Sequence, residues 1–179
     1  MTHRTLAAVL SLILLAAACG GRQAAGDGDG EPAGPAAPGT PVGSLSLDRL
    51  HSGRLGLSSL RGRVVLLDVF ATWCLPCIAA VPRLKALRAR HGGLGLEVIG
   101  LSVDLEGSKV VEPFCEELGV DYPVMLADQQ VIDGGSVLGP IRTLPLVFLV
   151  DRQGRVAEVL VGEVPHTELE RAVLRVLGK

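Results

Sequence analysis

Apolar residues follow two different spacings from about residue 43 onward, and these spacings predict strands and helices. Arg63–Ala71 is apolar at nearly every position, which is typical of a strand that is covered on both faces, as in a parallel sheet. In Leu75–His91 the apolar side chains instead recur every three residues, with basic side chains on the opposite side, and Gly92-Gly93 ends the pattern. The chain is therefore predicted to pass directly from a buried strand into an amphipathic helix.

The remaining patterns predict further strands and helices, then a hairpin and a last helix. A Ser52-Gly53 turn separates two short strands, and Asp151–Gly154 forms the turn of the hairpin. This order predicts an α/β domain with a mixed central sheet and helices on both faces. The predicted strands are 44–47, 54–57, 96–103, 124–127, 146–150 and 155–161, and the predicted helices are 58–62 (a single turn), 108–118, 129–138 and 167–177.

The N-terminal segment has the pattern of an export signal. His3 and Arg4 precede an apolar run of 13 residues, Leu6–Ala18, which is shorter than the roughly 20 residues of a membrane-spanning helix. The run ends in Ala16-Ala17-Ala18-Cys19-Gly20, which resembles a bacterial lipoprotein cleavage site except that Ala16 stands where Leu is usual. We expect residues 1–18 to be a lipoprotein signal and Cys19 to be the lipidation site, with ordinary cleaved secretion and an uncleaved anchor as the alternatives.

The segment 19–42 is rich in Gly, Ala and Pro and almost free of large apolar side chains. Ordering it would cost more conformational entropy than its burial would return. We interpret it as a flexible tether between a membrane lipid and a folded domain at 43–179. This organisation predicts an extracytoplasmic, membrane-anchored protein.

The composition of the chain indicates how many domains it has and which kinds of partner to expect. The 179 residues suit one globular domain plus extra segments. A formal net charge of −2 and 3% aromatic residues give no reason to expect a nucleic-acid partner. We expect a monomer.

The chemistry is concentrated in Trp73-Cys74-Leu75-Pro76-Cys77, at the junction of the predicted strand and helix. The free N–H groups and the dipole of a helix N-terminus stabilise a thiolate, so Cys74 is the candidate nucleophile and Cys77, one turn later, the candidate resolving thiol. A static disulfide and half of a zinc site are the alternatives. Zinc would need two more ligands, and the remaining cysteines and histidines are not in ligand spacing, so we expect no metal and no cofactor beyond the redox-active disulfide.

These features together resemble the thioredoxin superfamily, and more closely the TlpA/ResA-like thiol–disulfide oxidoreductases of bacteria. The resemblance covers about residues 43–179 and is carried by Val64–Cys77, Val81-Pro82 and Ile141–Gly154. It implies a thioredoxin-like fold with extra N-terminal strands, and it identifies the helix at 108–118 as the central insertion of this branch.

The resemblance also implies roles for residues around the cysteines. Pro145 matches the position of a cis-proline that faces the two sulfurs and shapes the groove for substrate backbone, with a trans-proline at a strand start as the alternative. Leu144 would offer its backbone to the substrate, Trp73 would pack beside the cysteines and shield them, and Pro76 would contribute to the same binding surface.

Asp68 matches the buried acid of thioredoxins, although many TlpA-like proteins have Asn there. A carboxyl group within an apolar strand should have a raised pKa and could accept the proton of Cys77. Thioredoxins often pair this acid with a Lys on the next strand, but 96–104 contains none. Many relatives carry a Glu at the position of Ala80, and we hypothesise that Asp68 has taken over proton handling; a structural acid at a strand crossing is the alternative.

The predicted function is that of an exported thiol–disulfide oxidoreductase that acts on protein thiols and disulfides. The resemblance implies a reductant, for example one that prepares cysteines for haem attachment, re-reduced by a membrane-bound electron donor. A peroxiredoxin-like peroxidase is one alternative, but it needs a Pro-x-x-x-Thr-x-x-Cys run, and Thr72 lies only two residues before Cys74. A non-enzymatic binding lipoprotein or copper chaperone of the same fold is another. Leu75-Pro76 does not fix the direction of electron flow.

Overall fold

The computed structural model describes residues 34–179, which form a five-stranded sheet, a short hairpin and four helices. The signal at 1–18, the lipidation site Cys19 and most of the tether lie outside these residues. Over the described range, no helix is long and apolar enough to cross a membrane. The strands are β1 (Ser46–Asp48), β2 (Arg54–Gly56), β3 (Val64–Phe70), β4 (Leu96–Ser102), β5 (Val124–Leu126), β6 (Leu146–Val150) and β7 (Val156–Val161), and the helices are α1 (Leu75–His91), α2 (Ser108–Glu117), α3 (Gln129–Ile132) and α4 (His166–Leu177).

The main sheet is mixed, as predicted, and has the order β5-β4-β3-β6-β7. β3 lies at its centre, parallel to β4 and antiparallel to β6. The last residues of the two parallel strands, Phe70 and Ser102, are directly paired. The segments that leave β3 and β4 therefore start side by side at one edge of the sheet, which is where the cysteines follow.

The two faces of the sheet have different coverings. Every side chain of β3 is buried, and alternate residues point to opposite faces. Val64, Leu66 and Phe70 share a core with α1, α2 and α4, whereas Val65, Leu67 and Val69 face the hairpin β1–β2, a 3-10 turn and α3. Asp68 belongs by alternation to the first face, on the same side as the helix that follows Cys74.

The predicted flexible tether is wrong over its last residues. The N–H of Ala36 donates to Leu138 O at 2.7 Å, that of Gly39 to Val156 O at 2.7 Å, and that of Val42 to Gly154 O at 3.0 Å. Val42 is fully buried. The bonds to Val156 and Gly154 lie at the start of the edge strand β7, and the bond to Leu138 lies in the loop after α3. They satisfy backbone groups that would otherwise be unpaired, so the folded part of the chain begins before residue 43.

The predicted helix at 129–138 is also too long. α3 ends at Ile132, and Gly134 follows with φ +74°. A left-handed residue of this kind stops a helix, so the rest of the predicted segment is a loop.

Candidate active site

The active-site candidate begins where β3 gives way to α1. A turn spans Ala71–Cys74 and is closed by the N–H of Cys74, which donates to Ala71 O at 3.1 Å. Pro76 lies in the first turn of α1, where a missing N–H costs nothing. The turn and the proline together place Cys74 as the N-terminal cap of the helix.

Cys74 and Cys77 form a disulfide with an S–S distance of 2.06 Å. The Cys74 sulfur also accepts a hydrogen bond from the N–H of Cys77 at 3.3 Å. Cys74 is 6% exposed and Cys77 is 1% exposed, so Cys74 is the more accessible of the two. Once the disulfide is reduced, the Cys74 sulfur would lie on the N–H groups of α1, where a thiolate is stabilised.

A groove of about 600 Å³ opens next to Cys74. It brings together three residues that the sequence predicted for substrate binding, Trp73, Pro76 and Leu144. The Leu144–Pro145 peptide bond is cis. The other lining residues are Leu75, Val103, Ile141, Arg142 and Thr143.

Trp73 lines the groove beside Cys74, while the expected shielding of the cysteines stays a prediction. The Trp73 side chain is 71% exposed and that of the neighbouring Leu75 is 77% exposed. Apolar side chains on both sides of Cys74 therefore face solvent, and such exposed surface is typical of a binding site.

Asp68 is buried on the α1 side of β3. Its burial raises its pKa to about 7, and the Arg83 guanidinium acts against this shift. Arg83 belongs to α1 and donates to Val164 O at 3.3 Å. The basic partner missing from the next strand is thus supplied by the helix that carries the cysteines, which the sequence reasoning did not anticipate.

Cys115 is not part of the candidate site. It is buried on α2, and burial raises the pKa of its thiol to about 11. An un-ionised thiol in the core behaves as a small apolar side chain, in agreement with the pattern of this helix.

Asp104 is a further polar residue near the site that the sequence reasoning passed over. Its carboxylate accepts hydrogen bonds from the N–H and the hydroxyl of Thr72, two residues before Cys74. The paired ends of β3 and β4 put these two residues level with each other. A polar residue just after a parallel strand is a signal that could have found it, since ligand and catalytic groups gather at the carboxyl ends of such strands.

Comparisons with known proteins agree with this geometry. The Redoxin family model matches residues 33–176. The chain is 34% identical over 121 residues to the thiol-disulfide oxidoreductase ResA of Bacillus thuringiensis (strain Al Hakam), covering 68% of each protein. It is 31% identical over 125 residues to the ResA of Bacillus subtilis (strain 168), covering 69% of this chain and 67% of the relative.

Solved structures give the same result for the fold. A thiol:disulfide interchange protein of the thioredoxin family from Chlorobium tepidum TLS superposes with a TM-score of 0.68 at 30% identity. The match covers 80% of this chain and 99% of that chain.

Proposed function

This chain belongs to the Redoxin family and is a TlpA/ResA-like thiol–disulfide oxidoreductase of the thioredoxin superfamily, and we propose that it reduces protein disulfides outside the cytoplasm from a membrane tether. Its substrates are protein thiols and disulfides. The observation that carries the proposal is the Cys74–Cys77 pair, capped on α1 and open to an apolar groove. A groove of this kind can hold a peptide segment beside the reacting sulfur.

In the reductive direction, two thiol–disulfide exchanges transfer two electrons to the substrate. The Cys74 thiolate attacks one sulfur of a substrate disulfide, forms a mixed disulfide and displaces the first substrate thiolate. The Cys77 thiol then loses its proton, attacks the Cys74 sulfur and displaces the second substrate thiolate, which restores the Cys74–Cys77 disulfide. The chain ends oxidised and must be re-reduced by an external dithiol, for which we propose a membrane-bound donor.

Asp68 is our candidate acceptor for the proton of Cys77. A pKa of about 7 leaves the carboxyl partly ionised at neutral pH, so it can both take up a proton and release it. The side chain is buried, and in this proposal a water molecule carries the proton between Cys77 and Asp68. Thiolate formation at Cys77 would then be coupled to protonation of Asp68.

The proposed location rests on the sequence alone. The apolar run 6–18 and the lipoprotein-like site at Cys19 support export and lipid attachment. A reductant held at a membrane in an oxidising compartment would suit the maturation of c-type cytochromes, whose cysteines must be reduced before haem is attached. Mass spectrometry of the mature N-terminus tests the lipid, and Cys19→Ser should move the protein from the membrane fraction to the soluble fraction.

The activity is tested by reduction of insulin disulfides with dithiothreitol as the electron source. Cys74→Ser should abolish the reaction, and Cys77→Ser should accumulate a mixed disulfide between Cys74 and the substrate. A reduction potential near −270 mV would support a reductant, and one near −120 mV would contradict it. Turnover of hydrogen peroxide faster than that of insulin would favour the peroxidase alternative instead.

A further inference from the structure

Asp104 is a buried carboxylate for which the exchange steps above give no role. It is 7% exposed and follows the carboxyl end of β4. Burial of a carboxylate is costly unless donors surround it. Its partners in the described chain are all neutral, and no Lys, Arg or His forms an ion pair with it there.

The hydrogen bonds of Asp104 converge on the turn that carries the nucleophile. The N–H of Thr72 donates to both carboxylate oxygens, at 3.1 and 3.0 Å, and the Thr72 hydroxyl donates to Oδ1 at 2.7 Å. The Ser102 hydroxyl donates to Oδ2 at 2.9 Å and accepts from the N–H of Asp104 at 3.1 Å. The carboxylate is thereby fixed to β4 on one side and to Thr72 on the other.

Thr72 is one of the two central residues of the Ala71–Cys74 turn. Both of its donors are held by Asp104, so the orientation of the turn is set from outside the turn itself. This turn places the Cys74 sulfur where it accepts a hydrogen bond from the N–H of Cys77. A change of the turn would move the sulfur away from the helix N-terminus, where a thiolate gains its stabilisation.

We propose that Asp104 is a positioning residue for Cys74, which holds the active-site turn through Thr72 so that the sulfur stays on the N–H groups of α1. The proposal rests on the proposed role of Cys74 as the nucleophile. Val103, the residue before Asp104, lines the groove beside Cys74, so the same anchor also fixes one wall of the substrate site.

Two substitutions separate positioning from a simple effect of charge. Asp104→Asn removes a negative charge near Cys74, which by electrostatics alone would favour the Cys74 thiolate. The positioning role predicts the opposite, because an amide offers fewer acceptors and loosens the turn. Thr72→Val changes no charge and removes only the hydroxyl donor, whereas Thr72→Ser keeps it.

The readout is the rate of alkylation of Cys74 by iodoacetamide between pH 4 and pH 9 in the reduced protein. Each modified cysteine is identified by peptide mass spectrometry. The charged or titratable side chains on the elements around Cys74 include Cys77 and Arg83 of α1, Asp68 of β3, Asp104 after β4 and Arg142 in the loop before β6. These side chains stay unchanged in the Thr72 variants, so any shift in the pH dependence of Cys74 alkylation in those proteins arises from the turn.

Thr72→Val and Asp104→Asn should raise the pKa of Cys74 and slow its alkylation at pH 6 by about tenfold. Thr72→Ser should stay within about twofold of the wild type. Asp151→Asn is the matched control, because Asp151 also accepts two backbone N–H bonds in a turn, from Gln153 and Arg155. It should lower the thermal stability without changing the alkylation profile.

Wild-type alkylation profiles in both Thr72→Val and Asp104→Asn would overturn the proposal, and so would an equal shift in Asp151→Asn. Faster alkylation in Asp104→Asn would show that charge outweighs positioning and would also overturn it. The readout needs no protein substrate, so a failure of the proposed function, seen as no insulin reduction by the wild type, is a separate result. Thr72→Val keeps the test valid if Asp104→Asn does not fold.

Discussion

Replacement of Asp68 with Asn should change how the stability of the protein depends on pH. Burial raises the pKa of Asp68 to about 7, from 3.8 for an unperturbed side chain. Between these values the folded chain holds a proton that the unfolded chain has released. The contribution of this group to the stability of the wild type is therefore fully present below about pH 4. It decreases as the pH rises above that value and is lost once the pH has passed the folded pKa.

The size of the effect follows from the two pKa values. At 1.36 kcal/mol per pKa unit, the difference corresponds to about 4 kcal/mol in the free energy of unfolding, lost gradually between about pH 4 and pH 7. Asn cannot ionise, so Asp68→Asn should not show this loss. The stability of the variant relative to the wild type should increase by roughly 3 kcal/mol between pH 5 and pH 8.

Urea unfolding of both oxidised proteins at pH 5, 6, 7 and 8 measures this difference. A constant offset from the buried amide cancels, because only the change with pH is compared. Asp133→Asn, at an exposed position after α3, is the matched control and should follow the wild-type curve. Parallel curves for wild type and Asp68→Asn would refute the argument that Asp68 is held protonated by burial.

The same variant tests the proton-acceptor role by a separate measurement. If Asp68 takes the proton of Cys77, reduction of insulin at pH 7 should slow by at least about tenfold in Asp68→Asn. An unchanged pH–rate profile would reject that role even if the stability result is as expected. The two outcomes thus distinguish a buried acid from a functional one.

Three further substitutions test other parts of the structure. Arg83→Gln removes the cation that lowers the pKa of Asp68, so the loss of stability with pH in the same urea series should extend to higher pH. If the pH at which half of this loss has occurred is unchanged, the two groups do not interact. Arg142 is the charged residue of the groove, so Arg142→Glu should lower kcat/KM several-fold for disulfide peptides with Asp beside the cysteine and raise it for those with Lys; equal effects on both peptides would exclude a charge contribution. At Gly139, with φ +69°, an added Cβ would lie 2.8 Å from Gly34 O, so Gly139→Ala should cost at least about 1 kcal/mol in thermal unfolding, and a wild-type melting temperature would contradict the packing of residues 34–42.

The elements with strong local patterns were predictable from the sequence. The predicted bounds of the helix Leu75–His91 agree with α1, and the continuous apolar run predicted β3 to within one residue at each end. Burial of a strand on both faces and of a helix on one face leaves a direct record in the order of the residues. The cysteine motif was placed correctly for the same reason, since the strand and the helix that flank it were both visible.

The contacts of residues 36–42 could not be predicted in this way. The hydrogen bond from Gly39 to Val156 joins two backbone groups that are far apart in the chain, and backbone groups carry no residue-specific signal. A Gly- and Pro-rich composition is common both to mobile chain and to segments that run along a sheet edge. Val42 was the one large apolar side chain that could have indicated packing.

The partners of Asp68 and Thr72 were missed because they come from other elements. Arg83 is spaced like the solvent-facing basic residues of α1, and the sequence pattern alone assigned it to that surface. The pairing of Thr72 with Asp104 depends on the register of β3 and β4. Register is set by the packed sheet rather than by either strand alone.

The acid at position 68 and the small residue at position 80 together leave one buried carboxyl group in the core that contains Cys77. Ala80 is buried in the same core as Cys77, on the face of β3 to which Asp68 points. A carboxyl group at position 80 would be a second acid in this layer, and two buried carboxyls raise each other's pKa. With Ala80 apolar and Arg83 one turn of α1 further on, a single acid keeps a pKa near neutrality. Ala80→Glu should therefore raise the pKa of Asp68, shift the pH of half-maximal insulin reduction upward and lower the stability; a variant with a wild-type pH profile would show that the two positions act independently.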